Sequence, residues 1–524
     1  MNRRELPERK VNPLMKIRHP LIASVAVLTG CASWIPSVGP SYEEPELTAP
    51  AFALPDAGLP TTNLTETCEY EAAASNDDVR VVVSDDVMCR WWRRFDDPVL
   101  VSLVEGAVTN NLSFRMAQER LGRAYWEYLG SYAAYMPKFS ADAAWVRNWY
   151  GQKTSGGKAG KNFTAINASQ VGLDGSWEID IFGGSRRMTE ASMALAEAAG
   201  WTAADAWIAL TTQIGQQYIN LRTTQARLAV ARRNLKLQSE TYDILKSRFD
   251  SGIGDELAVN QCAYVVEQTR AGIPTLLAQE EALKNAIAIL AGERAGALDE
   301  VLAPLDEERD WLLAPQKIAE LPLDWIRARP DVKVAERNLA AATYHIGVAK
   351  AQWFPRLFLN GSVGWQATKK VRLFSADSFV ASLGPAISWP IFQGGAIYAN
   401  VKATEASARE AALGYELAVD NAYAGVRNAY SAYTQEYHRY QSLQAAVKAA
   451  EDAVNISQDL YKNGLKDFNN VLDAQRSLLQ FAEQLVISRG QITVDLIDLY
   501  KNLGGGLACE LKKLDAEGES ADKR

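Results

Sequence analysis

Histidine is almost missing from this chain: His19, His345 and His438 are the only three in 524 residues, and they are far apart. A histidine-based catalytic or metal centre needs converging ligands or a base beside a nucleophile, and three scattered imidazoles supply neither. The five cysteines show no metal-ligand spacing. Basic charge is not in excess either, since the formal net charge is −8. An acidic chain offers no footprint for nucleic acid. After residue 30 no stretch reaches the roughly eighteen apolar residues of a membrane-spanning helix. If such a chain crosses a membrane, it does so with strands.

Proline is missing from two long stretches, Gly183–Phe249 and Gly394–Tyr461. An unbroken helix over the first would be ~100 Å long at 1.5 Å per residue. Apolar residues recur there at every seventh position: Trp207, Ile214, Leu221, Leu228, Leu235, Tyr242 and Phe249. A strict repeat of seven stays on one face only if the helix supercoils against neighbours. Small residues between these anchors (Ala203, Ala206, Ala231) allow close approach. The second stretch repeats the stripe with Val419, Val426, Tyr433, Tyr440, Val447, Val454 and Tyr461, each 212 positions after its counterpart. The flanks correspond as well: 176–184 with 388–395, 248–252 with 460–464, and 135–139 with 353–357. Two internal repeats therefore organise one elongated body.

At the start, Lys16 and Arg18 precede the apolar run Leu21–Leu28, and Leu28-Thr29-Gly30-Cys31 follows. That order reads as an export signal ending in a lipobox, with Cys31 as the acylated first residue. A short buried helix with an ordinary cysteine is the alternative, and Met15 competes with Met1 as the start. Ala32, where an Asp would mark inner-membrane retention, favours the outer membrane. Residues 32–98 read as an extended arm. In it, Cys68 and Cys89 are either a disulfide or two free thiols.

A helical pattern runs from about Val99 to Tyr135, and then the period changes to two. Phe139, Ala141, Ala143 and Trp145 alternate with polar neighbours, as do Val171, Leu173, Trp177, Ile179 and Ile181; a polar loop (148–168) joins them. Leu357, Leu359, Val363 and Trp365, then Phe379, Ala381, Leu383, Ile387, Trp389 and Ile391, repeat the hairpin. Strands apolar on one face, with aromatics near their ends, suit a membrane barrel. A soluble sheet packed on a core is the alternative, but no spare segment is at hand to cover that face. Four strands cannot close a barrel, and open edges in hydrocarbon cost several kcal/mol per unsatisfied group. Two copies would give eight strands, and three would give twelve and a pore. The loop Ser155–Lys161 has some look of a phosphate loop but lacks its spacing and its strand-to-helix setting.

After each rod comes a glycine reversal (Gly252, Gly464), and helices return over Asp255–Ala291 and Asp467–Leu503, with Asp255 and Asp467 as candidate caps. The expected order is signal peptide (1–30), lipidated arm (31–98), upper helix (99–137), first β-hairpin (138–181), first long helical hairpin (182–291) and equatorial segment (292–330). A second upper helix (331–354), β-hairpin (355–391), helical hairpin (392–503) and tail (504–524) follow.

The residues so far assembled resemble the outer-membrane efflux protein (TolC-like) family, in its NodT/OprM-type lipoprotein branch. Val38-Gly39-Pro40-Ser41-Tyr42 resembles the branch's VGPDY opening, with Ser41 in place of Asp. Trp91-Trp92-Arg93-Arg94-Phe95-Asp96-Asp97-Pro98-Val99-Leu100 is similar to its WWxxFxDPxL. Arg329-Pro330-Asp331-Val332 and the run from Tyr461 to Arg476 resemble two further motifs, and the likeness extends over residues 28–503. The resemblance implies a mixed fold: a long α-helical coiled-coil barrel plus a transmembrane β-barrel, four strands per chain and twelve in a homotrimer. It implies a lipid-anchored outer-membrane exit duct that extends into the periplasm. Its partners would be a periplasmic membrane-fusion adaptor, an inner-membrane pump of RND type and outer-membrane lipid, with no cofactor beyond the lipid on Cys31 and no chemistry of its own. It carries the periplasmic gate onto Asp473 and Arg476, where the bland reading is a helix-surface pair at i, i+3. Adaptor docking falls on Arg248, Gly252, Tyr461 and Gly464, where turn chemistry alone is the competing cause. Asp142, Asp174, Glu178 and Asp180 are candidate pore-facing acids, which would favour cations. An outlet for secreted protein or peptide uses the same fold, and a lipid-tethered periplasmic coiled-coil scaffold is the reading from another class.

Overall fold

A computed structural model describes residues 37–45, 52–53, 90–150, 164–304, 320–321, 326–368, 373–463 and 465–505. Cys31, Cys68, Cys89 and Gly464, named above, lie outside the described residues. The elements in chain order are α1 (Pro98–Asn110), α2 (Leu112–Ser131), β1 (Lys138–Tyr150), β2 (Thr164–Ile179), α3 (Gly184–Asp250) and α4 (Glu256–Ala291). Then come α5 (Pro330–Ala351), β3 (Arg356–Thr368), β4 (Phe379–Ser388), α6 (Ala396–Lys462) and α7 (Phe468–Asn502). The two rods, α3 and α6, are each 67 residues long. Among the described residues no helix is long and apolar enough to cross a membrane.

The chain forms two compact units. One contains residues 1–46, 120–200 and 334–416, the other 47–119, 201–333 and 417–524. The first holds a four-stranded antiparallel sheet in the order β1-β2-β3-β4. Its register pairs Phe139 with Gly175, Leu173 with Val363 and Val363 with Ala381. Side chains alternate across a strand, so this register puts the predicted apolar residues within the strands on one face, while Ile181 lies beyond the end of β2. The strands run beyond the expected hairpins, for β1 reaches Tyr150 and β2 starts at Thr164, both inside the expected loop. In contrast, β4 ends at Ser388, so Trp389 and Ile391 fall outside it.

Both junctions into the sheet use one device. The indole N–H of Trp177 donates to the Tyr135 carbonyl at 2.9 Å, and that of Trp389 to the Trp353 carbonyl at 3.0 Å. The segment 37–45 lies against the same unit. Val38 N–H donates to the Phe182 carbonyl at 3.1 Å. Gly39, at φ +104°, sits where a Cβ would stand 2.5 Å from Cα of Gly347, so both positions need to lack a side chain. The Tyr42 ring lies 5.5 Å beneath the Arg337 guanidinium, which pairs with Glu197 at 3.1 Å. Arg187 Nη2 donates to Ser41 Oγ at 3.3 Å, so the serine at this motif position has a partner.

The second unit has a hydrophobic core, and the Trp91–Leu100 motif is part of it. Trp91, Trp92, Phe95 and Leu100 are buried. Trp91 meets Trp92 edge-on at 5.7 Å and stacks on Tyr500 at 6.2 Å. Asp97 does two jobs. Its Oδ1 accepts the Val99 N–H at 2.9 Å as the N-cap of α1, with Pro98 at the first helical position, and its Oδ2 accepts the Tyr218 hydroxyl at 2.6 Å. The Arg329 guanidinium grips the Asp331 carboxylate at 3.0 and 2.7 Å and also donates to the Asn502 carbonyl.

Three expectations need correction. The single helix over 99–135 is two, α1 and α2, broken at Asn111. Asn111 is extended, its Oδ1 accepts the Phe114 N–H at 2.8 Å and its Nδ2 donates to the Leu290 carbonyl at 2.9 Å. A side chain that bonds nearby backbone competes with helix continuation. Gly292, at φ +78°, ends α4 against that break, where a Cβ would lie 2.4 Å from the Asn110 carbonyl oxygen. Next, Asp255 caps α4 by accepting the Leu257 N–H at 3.0 Å, but Asp467 makes no side-chain cap on α7. Lastly, the stripe of seven is buried at Ile214, Leu221 and Leu228, but then at Gln238 and Leu245, while Phe249 is exposed. A shift of three residues re-phases a heptad stripe whose helix drifts by ~20° per heptad.

Candidate functional site

The first unit carries one candidate site, on the sheet. One face presents Phe139, Trp145, Trp149, Leu173, Val363, Trp365, Leu383 and Ile387, all exposed to the surroundings. Leu383 is 79 % and Ile387 73 % accessible, values suited to a hydrocarbon boundary and not to water. The opposite face carries Ser140, Asp142, Gln170, Asp174, Ser176, Glu178, Asn360, Ser362 and Ser382 by the same register. Ser176 Oγ donates to Asn360 Oδ1, and Ser362 and Ser382 share a hydrogen bond, each at 2.8 Å.

The four candidate pore acids have unlike surroundings. Asp142 and Asp174 are exposed and within hydrogen-bonding reach of each other. Glu178 is paired, since Arg356 Nε donates to its Oε1 at 2.7 Å. Asp180 lies beyond β2, and its carboxylate accepts the Arg186 N–H at 2.9 Å near the start of α3. The structure thus brings Asp142 and Asp174 together as an acidic pair and gives the other two partners of their own.

The helical tip, in the second unit, is a separate candidate site. Leu245, Ala258, Cys262, Val265, Phe468, Val471 and Leu472 form a small core of their own, with Tyr242, Val259 and Tyr461 against it. Burial pushes the Cys262 thiol up to about 11, which leaves it a core residue and not a nucleophile. Arg248 lies over the Tyr461 ring at 5.5 Å, and Tyr461 meets Phe468 edge-on at 5.2 Å. These two docking candidates are therefore in contact. Gly252, at φ +76°, has open space around it, beside Ile253 at 76 % accessibility. Leu465, which follows the second reversal, is 67 % accessible.

Asp473 is exposed, and Arg476 stands 3.8 Å from it, at the limit of an ion pair. The arginine has a better partner that the sequence reading missed. Its guanidinium lies 5.3 Å from the Tyr264 ring centre and donates to the Tyr264 hydroxyl, linking α7 to α4. The two residues are 212 positions apart, and a repeat spacing marks equivalent positions and not contacts, so no local signal pointed to the pair. Among the described residues no group of His, Cys, Asp and Glu could hold a metal ion.

Comparison with known proteins places the chain. The family model described as outer membrane efflux protein matches residues 103–293 and 322–505. The chain belongs to that family. It is 32 % identical to nodulation protein T of Rhizobium leguminosarum bv. trifolii, over 86 % of this chain and 89 % of that protein. It is 30 % identical to outer membrane protein OprJ of Pseudomonas aeruginosa, over 79 % and 86 % respectively. The solved outer-membrane channel OprN superposes with a TM-score of 0.76 at 30 % identity, covering 90 % of this chain and 99 % of that one. Helical rods carrying a four-stranded sheet are therefore the fold of an efflux channel.

Proposed function

We propose that this protein is the outer-membrane exit duct of a tripartite efflux assembly. Three copies seal a twelve-stranded barrel, and a lipid on Cys31 anchors each copy. A periplasmic adaptor docks at the tips, and an inner-membrane pump supplies the energy. The duct conducts drugs or other small molecules passively.

The observation that carries this reading is the sheet. Its apolar face lies open, and its outer strands β1 and β4 each pair on one side only. In hydrocarbon each unpaired backbone group costs several kcal/mol, so an open four-stranded sheet is not viable there and edges must meet edges of other copies. The polar face then lines the lumen. With Glu178 neutralised by Arg356, cation preference rests on Asp142 and Asp174.

The deciding experiment is purification of the full chain in detergent, with mass by light scattering and conductance in planar bilayers. The expected result is a trimer that conducts; a monomer that passes no ions ends the reading. At the tip, Asp473 contributes to a constriction, with Arg476 held by Tyr264 on α4. Asp473→Ala should raise the leak conductance of the reconstituted channel, and unchanged conductance would remove Asp473 from that role.

A further inference from the structure

Within the second unit, α3, α4 and α7 leave a cleft of about 820 Å³ between them. Sites for small organic molecules have volumes of ~300–1,000 Å³ and combine an apolar body with a few convergent polar groups. This cleft has both. Val230, Val265 and Leu276 supply apolar lining.

Two polar features are left without full complements. Arg227 and Glu483 also line the cleft, but they satisfy each other through donations at 3.1 and 2.6 Å. Arg476, on the lining too, donates to the neutral Tyr264 hydroxyl, and its charge is met only by the long 3.8 Å ion pair to Asp473, which is not part of the lining. One guanidinium therefore remains as the net charge of the cleft. The second feature is Gln238, which is 4 % exposed and lines the cleft, and nothing among the described residues donates to its Oε1. A buried amide oxygen without a donor is destabilising, so a donor brought to it is favoured.

We propose that this cleft binds an amphipathic organic anion. Its carboxylate or sulfonate pairs with Arg476, its apolar body covers Val230, Val265 and Leu276, and a hydrogen-bond donor on it reaches Gln238 Oε1. Water alone would satisfy the amide but leave the apolar lining wet. A cation would be repelled by Arg476, whose ion pair with Asp473 is long. The site stands independently of the duct reading, because it needs neither a trimer nor a membrane.

The probe is 8-anilinonaphthalene-1-sulfonate, which has a sulfonate, an aromatic body and one N–H donor. Its binding to the full chain in detergent is measured by isothermal titration, with protein-free micelles subtracted. One saturable site per chain is expected. N-phenyl-1-naphthylamine, the same frame without the sulfonate, should bind at least ~10-fold more weakly, the factor that 1.4 kcal/mol represents for a lost charge-assisted bond. Arg476→Gln and Gln238→Leu should each weaken the sulfonate by a similar factor, with helicity checked by circular dichroism. No saturable site, equal binding of the neutral amine, or folded variants that bind as wild type would each overturn the proposal.

Discussion

The aromatic residues of the two units meet opposite fates. Trp91, Trp92 and Phe95 in the second unit are 0, 3 and 7 % accessible, whereas Phe139, Trp145 and Trp149 on the sheet are 69, 65 and 64 %. Residue type does not decide burial; the presence of a partner does. The second unit finds its partners within the chain, in Tyr500, Trp207 and Leu100. On the sheet Trp365 meets Phe374 and Phe379, but among the described residues nothing covers the apolar face, so that face calls for a medium or partner supplied from outside. An exposed contiguous apolar surface in a native chain marks such a medium or a partner.

Removing a partner from the hydrophobic core should have the largest effect. Trp91→Ala should cost ~3–5 kcal/mol, as large aromatic truncations in cores do, and lower the thermal midpoint followed by circular dichroism. A loss below ~1 kcal/mol would mean that the aromatic knot is not what holds this unit. On the sheet, Leu383→Arg should leave the helical signal unchanged but cost ~2–4 kcal/mol of insertion, the penalty for arginine on a lipid face at the membrane midplane. Folding into lipid vesicles tests this, and unimpaired insertion would refute the lipid-facing assignment.

Smaller effects sharpen the contrast. Asp97→Ala removes an N-cap and strands the buried Tyr218 hydroxyl, so it should cost ~1–3 kcal/mol in urea unfolding. Asp97→Ala in a Tyr218→Phe background should cost less, since no hydroxyl is then stranded. The smallest effect depends on pH. Burial, with Glu436 and Asp498 nearby, raises the Asp495 carboxyl to about 6, against the pull of Gln491. A carboxyl raised on folding favours its neutral form, so its contribution is full below ~pH 4, the unfolded value, and is lost as pH rises through about 6. Asp495→Asn should therefore raise the melting temperature at pH 8 and leave it unchanged at pH 3.5. Equal shifts at both would show that Asp495 titrates normally.

Much of the fold was legible because two periods are hard to mistake. The period of seven gave both rods, and the period of two gave the apolar face of all four strands, except that Ile181, Trp389 and Ile391 lie beyond the strand ends. The break at Asn111 was not legible, because one asparagine inside a helical pattern bends the chain only when a carbonyl such as that of Leu290 is there to receive its amide. The acids Glu178 and Asp180 were legible as acids but not as partners of Arg356 and the Arg186 N–H. Likewise, Asp473 and Arg476 read as a neighbouring pair on one helix, while the arginine's stronger contact lay on α4.

By itself the sequence determined the local and periodic features: where proline is excluded, where the period changes, which strand face is apolar, and where glycine permits a reversal. These depend on residues a few positions apart, whose geometry the backbone fixes. Tertiary structure alone decided which charges are neutralised, which stripe residues are buried beyond Leu228, and where a cleft remains. Those outcomes depend on side chains dozens to hundreds of residues apart, and only packing brings such groups within reach of each other.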